Sequence, residues 1–171
     1  FVSDRAQNGD GIGKAGVGCN GVPPELPNEK GFDYFFGYLN HGDAHHYFPE
    51  RLYRNGEAIE YPGNALHEGT HYSHDLFFED TMRYLDEHRD GPFFLHWSMQ
   101  IPHASLYAPE EWMAKYRGRF DEQPATHPHY RDEAEPRTAF AAMVSRMDWE
   151  VGQLLEKLKE LGIASNTLVL F

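Results

Sequence analysis

The sequence predicts an α/β fold with a mostly parallel sheet flanked by helices. Two apolar stretches, residues 93–99 (FFLHWSM) and 167–171 (TLVLF), read as strands buried in a sheet, the first lacking the clean alternation of a one-sided strand. Each follows a helical pattern that ends on a breaker, Asp90-Gly91-Pro92 in one case and Gly162 in the other. The resulting order, helix–strand–loop–helix–strand, is that of parallel strands joined by helical crossovers.

Residues 1–31 are rich in Gly, Pro and Asn and show neither helical nor strand periodicity. Within them the run from Gly9 to Gly18 reads as a loop or a short strand with close backbone approach. An aromatic stretch, residues 32–39, follows, and then a His-rich segment to His46. Tyr53-Arg54-Asn55-Gly56-Glu57 reads as a hairpin, because Asn-Gly supplies the two positive φ values of a type I′ turn. From Ser73 or Asp75 to about Arg89 the pattern is helical, with Leu76, Phe77, Met82 and Leu85 on one broad face. Residues 104–136 read as loop with one short helix near 109–116. The clearest helix covers about 137–161, where Phe140, Met143, Val144, Met147, Val151, Leu154, Leu155, Leu158 and Leu161 recur at three- and four-residue steps; Gly162 suits its C′ position. Ligands in open α/β sheets bind beyond the carboxyl ends of strands. A strand at residues 167–171 with nothing after it therefore reads as a truncated C-terminus.

The 171 residues suffice for one domain with a real core, and 40% hydrophobic with 25% charged residues is a globular composition. The formal charge of −12 argues against a nucleic-acid partner and against docking on anionic lipid. It leaves room for an anionic small molecule held by a local cluster of cations. Cys19 is the only cysteine, so no internal disulfide and no thiolate metal site can form within the chain. No apolar run reaches the length of a membrane span, and no signal peptide is visible.

Three motifs could carry chemistry. His67-Glu68-Gly69-Thr70-His71 matches the zinc motif H-E-x-x-H, whose histidines must share one face of a helix; Gly69 and Thr70 in its middle favour a surface loop. Gly13-Lys14-Ala15-Gly16-Val17-Gly18 could bring backbone N–H groups and the Lys14 ammonium to an anion, though it lacks the P-loop pattern. Gln100-Ile101-Pro102-His103-Ala104 leaves the first apolar strand where substrates normally sit, so His103 could donate a proton to a leaving group or hold an anion's oxygen. A structural histidine bonded to a loop carbonyl is the alternative. His41, His45 and His46 form a looser set that could line a cleft or a solvated loop.

Together the stretches GKAGVG, NEKGFDYFFGYLN, YFPERLYRNGE, YSHDLF, FFLHWSMQIPHASLYAPEEW, AAMVSRMDWEVGQLLEKLKELG and NTLVLF resemble the sulfatase family of the alkaline-phosphatase-like superfamily. The resemblance covers about residues 13–171, with residues 1–12 atypical. It implies that residues 1–171 are part of a single sulfatase-like catalytic domain, a partial alkaline-phosphatase-like fold truncated at both ends. It also implies hydrolysis of sulfate esters, of a carbohydrate or aryl alcohol, by a formylglycine nucleophile made in a C/S-x-P-x-R motif. A divalent metal, usually calcium, is held by carboxylates and an amide. In that reading Lys14 corresponds to the sulfate-binding lysine, and His103 to the histidine that contacts sulfate and protonates the leaving alcohol. Cys19 precedes Asn-Gly-Val-Pro and so is not the nucleophile, Ala15 replaces a tryptophan, and Gly16 stands where many members carry a second histidine. Nucleophile and metal ligands are thus expected outside this sequence, which alone should be inactive, and a periplasmic or secreted parent fits the family. A phosphoryl-transfer member of the same superfamily, a zinc metallohydrolase through His67 and His71, and a non-enzymatic carbohydrate-binding remnant are the alternatives.

Overall fold

The computed structural model describes residues 9–14 as backbone, and residues 26–40 and 42–171 in full. A five-stranded sheet forms the frame: β1 (Gly9–Lys14), β2 (Phe32–Tyr38), β3 (Arg51–Arg54), β4 (Glu57–Glu60) and β5 (Phe94–Ser98), in the spatial order β4-β3-β2-β1-β5. The pairings of β1 with β2 and with β5 are parallel, while β3 and β4 add an antiparallel hairpin on one flank. Asn55 (φ 51°) and Gly56 (φ 86°) turn that hairpin, as the Asn-Gly pair requires. The Asn55 side chain also accepts the Phe35 N–H at 2.8 Å, fastening the turn to β2.

Of the run left open between loop and strand, Gly9–Lys14 is a strand, and residues 15–18 lie outside the described residues. Gly9, Gly11 and Gly13 each pair with both neighbouring strands, and Gly13 lies beside Gly37 of β2 and Ser98 of β5. The aromatic run Phe32-Asp33-Tyr34-Phe35-Phe36-Gly37-Tyr38 follows from β2 being covered on both faces. Tyr34, Phe36 and Tyr38 pack with Phe77 and Tyr84 of helix α1 (Ser73–His88), whereas Phe35 packs with Leu39, Leu26 and Tyr53. Polar bonds clamp the same helix. Asp80 accepts from the Tyr34 hydroxyl at 2.6 Å, from Arg54 at 3.0 Å and from Arg83 at 2.6 Å.

The long helix, α3 (Pro136–Glu160), ends as predicted: Gly162 has φ 74°, and the Ile163 N–H reaches Leu158 O at 3.1 Å in a Schellman closure. Its buried face keeps Met143 and Leu158 of the predicted one but otherwise differs from it. Ala139, Ala142, Met143, Arg146 and Glu150 point inward, whereas Phe140, Val144 and Leu155 are exposed. Periodicity ranks residues by hydropathy and so cannot foresee that Arg146 and Glu150 neutralise each other at 2.7 Å and go inside together. The short helix α2 (Glu110–Met113) lies where expected and packs Trp112 and Met113 against α3. The predicted loop around it also contains a small hairpin, β6 (Ala125–His127) and β7 (Tyr130–Glu133).

Two strand expectations need correction. Among the described residues, 167–171 join no ladder, and Leu168, Leu170 and Phe171 are more than four-fifths exposed. They line a cleft of about 360 Å³ together with Leu95 and Trp97 of β5. Strand β5, expected to be covered on both faces, is consequently half-buried. No helix among the described residues is long and apolar enough to cross a membrane.

Candidate active site

The parallel strands β1, β2 and β5 end at one edge of the sheet, where Lys14 lies in register with Tyr38, and Gly13 with Ser98. Ligands of open α/β sheets collect at such an edge. Lys14 is the last residue of β1. Its side chain, the glycine-rich residues 15–18 that follow, Cys19 and His41 all lie outside the described residues.

His103 sits in the turn that leaves β5. The turn is closed by the His103 N–H donating to Gln100 O at 3.0 Å. Four anchors hold it. The Tyr47 hydroxyl donates to His103 O at 2.6 Å. Burial pushes that phenol well above its ordinary pKa, which keeps it a donor. The Gln100 amide donates to Ala44 O, the Ser105 N–H donates to His45 O at 3.3 Å, and the buried His74 accepts the Ile101 N–H at 3.1 Å. Anchored through its backbone, the His103 ring itself stays exposed, with Nδ1 against Ala104 O. A carbonyl only accepts, so the Nδ1 proton is fixed there and proton exchange with a substrate falls to Nε2.

Sequence reasoning missed what surrounds this ring. His45 stacks on His103 with ring centroids 5.1 Å apart, Tyr130 meets His45 edge-on at 5.2 Å, and His127 stacks on Tyr130 at 4.6 Å. The hairpin β6–β7 delivers Tyr130 and His127, and Arg131 pins it to the turn by donating its N–H to Ser105 Oγ at 3.0 Å. Beside it lies a cleft of about 560 Å³ lined by His67, Thr126, His127, Pro128, Tyr130 and Arg131 among others. Its two-residue connection, Pro128-His129, lacks the Asn-Gly or Asp-Gly signature, so the sequence offered no signal for it. Of the looser histidine set, His45 joins His103, while His46 packs against His67 at 4.8 Å. Burial, and then the neighbouring His67, hold the His46 pKa below its ordinary value.

The H-E-x-x-H stretch is not helical. Residues 64–71 fold around the buried Asn64, whose side chain donates to Pro49 O and His71 O and accepts from the Thr70 and His71 N–H groups, all at 2.8–3.0 Å. Without a helix turn the two histidines lack the geometry of the zinc motif. Among the described residues no group of three or more His, Cys, Asp or Glu side chains is arranged to hold a metal ion. The carboxylate-and-amide set that the resemblance implies for calcium therefore does not fit the described residues.

The family model described as Sulfatase matches residues 10–171. The chain belongs to the sulfatase family. It is 24% identical to an arylsulfatase of Klebsiella aerogenes over 88% of its length and 41% of that protein. An N-acetylgalactosamine-6-sulfatase of Rattus norvegicus is 28% identical over 87% of the chain and 27% of its own length. The solved structure of Ps i-CgsB superposes with a TM-score of 0.69 at 25% identity, covering 90% of this chain and 34% of the other; the same protein has been solved in complex with k-i-k-neocarrahexaose. The chain thus spans less than half the length of these proteins, and its fold is part of the alkaline-phosphatase-like fold.

Proposed function

We propose that this chain is the segment of a sulfuric-ester hydrolase that supplies a sulfate-holding cation, Lys14, and a leaving-group acid, His103. The observation that carries the reading is the position of His103: exposed, backbone-anchored, and in the turn that leaves β5 at the strand edge where β1 ends on Lys14. Ester cleavage places negative charge on the departing alkoxide. A protonated imidazole donating from Nε2 neutralises that oxygen as the S–O bond breaks, while an ammonium near the non-bridging oxygens steadies the sulfuryl group. The formylglycine nucleophile and a divalent metal, calcium by resemblance, belong to the parent protein outside these residues. A sulfated sugar is the favoured substrate class, given relatives named N-acetylgalactosamine-6-sulfatase and a neighbour solved with a neocarrahexaose.

The test is turnover by the full-length parent protein of the sulfate ester of a weakly acidic phenol and the matching aryl phosphate. The sulfate should be preferred. His103→Ala and Lys14→Ala should each lower kcat/KM by about 10² or more. Preference for the phosphate, or undiminished turnover in both variants, would assign the chain to another chemistry.

A further inference from the structure

We infer that His74, backed by Glu150, is a positioning residue for His103: it fixes the turn that presents the acid. The inference rests on the reading of His103 given above.

His74 and Glu150 are fully buried, and neither touches the cleft. The imidazole Nε2 accepts the Ile101 N–H at 3.1 Å, so its proton is on Nδ1, which donates to Glu150 Oε2 at 3.2 Å. The other Glu150 oxygen takes the Arg146 Nε–H at 2.7 Å, and Arg146 also donates to Asp75 at 2.9 Å. This chain sets the tautomer of His74, because Glu150 can only accept when ionised and the Ile101 amide can only donate. A buried ionic chain is a poor way to gain stability, since apolar packing of equal volume serves as well or better. It does deliver one acceptor at one place, the backbone N–H of Ile101. That residue is buried and lies inside the four-residue turn closed by His103 N–H to Gln100 O. Loss of the acceptor strands a buried amide and leaves the turn without its hold at Ile101. A positional error of about 1 Å in a catalytic group can cost about 10²-fold in rate.

The experiment uses the full-length parent protein and an alkyl sulfate, whose poor leaving group needs the acid. The variants His74→Ala, His103→Ala and their double are compared for kcat, KM and amide exchange over residues 99–105. The expected result is a fall in kcat of about tenfold or more in His74→Ala with little change in KM. The double variant should be no slower than His103→Ala alone, and exchange at Ile101 and His103 should accelerate. His74→Gln, whose side-chain oxygen can reach the same N–H, should recover most of the rate. Should His74→Ala not fold, Glu150→Gln, which keeps volume and an acceptor, should show the same pattern more weakly. Multiplying losses in the double variant, or an unchanged kcat in folded His74→Ala or Glu150→Gln, overturns the inference. A His103→Ala protein with undiminished kcat overturns instead the acid role itself, and exchange then still decides whether His74 orders the turn.

Discussion

Asp80→Ala tests how α1 is fastened to the sheet. Only 4% of the Asp80 side chain is exposed, and it takes hydrogen bonds from Tyr34, Arg54 and Arg83. Removing one partner of a fully buried ion pair costs about 3–5 kcal/mol. Here the two guanidiniums are 43% and 42% exposed, so water re-solvates them and much of that penalty disappears. What remains is the charge-assisted bonding and a Tyr34 hydroxyl left without its acceptor, together about 2 kcal/mol. For a chain of this size the thermal midpoint should fall by about 4–8 °C. Asp80→Asn keeps an acceptor and the volume, and should lose about half as much. Differential scanning calorimetry of the purified protein provides the measurement. A midpoint for Asp80→Ala within about 1 °C of the parent would refute the claim that this cluster ties helix to sheet.

Other perturbations test the loops around the candidate site. A Cβ on Gly69 would sit 2.2 Å from Asn64 Oδ1 and 2.8 Å from Asn64 Cα. Gly69→Ala should therefore open the Asn64 cage at a cost of about 1–3 kcal/mol, read as faster amide exchange at Thr70 and His71; unchanged protection would contradict the cage. The folded His46 pKa is depressed, so between that value and the unfolded value of about 6.5 the unfolded chain binds more protons, and stability falls as pH drops through this window. His46→Gln should flatten the fall of the thermal midpoint between pH 7.5 and 5.5, and an identical pH profile would remove His46 as its source.

Much of this was legible because backbone rules leave local marks. Asn55-Gly56 announced its turn, Gly162 its helix end, and the position of His103 followed from a strand leaving a sheet. What stayed hidden depends on partners far apart in sequence. Glu150 lies 76 positions from His74, and no periodicity marks a glutamate that will be buried with an arginine. The hairpin carrying Tyr130 has strands of three and four residues, too short for alternation to stand out. Residues 167–171 have the composition of a buried strand, yet β propensity yields a strand only where a neighbour supplies the ladder, and among the described residues none does.

The central claim, that His103 delivers a proton to the departing oxygen, is tested most directly by leaving-group dependence. In the full-length protein, kcat/KM is measured for aryl sulfates whose phenols span a range of acidity, with and without His103→Ala. The account predicts a small loss for the most acidic phenols and a loss growing toward about 10²–10⁴-fold for the least acidic, a steepened slope. Parallel lines, with the same loss at every leaving group, would contradict it.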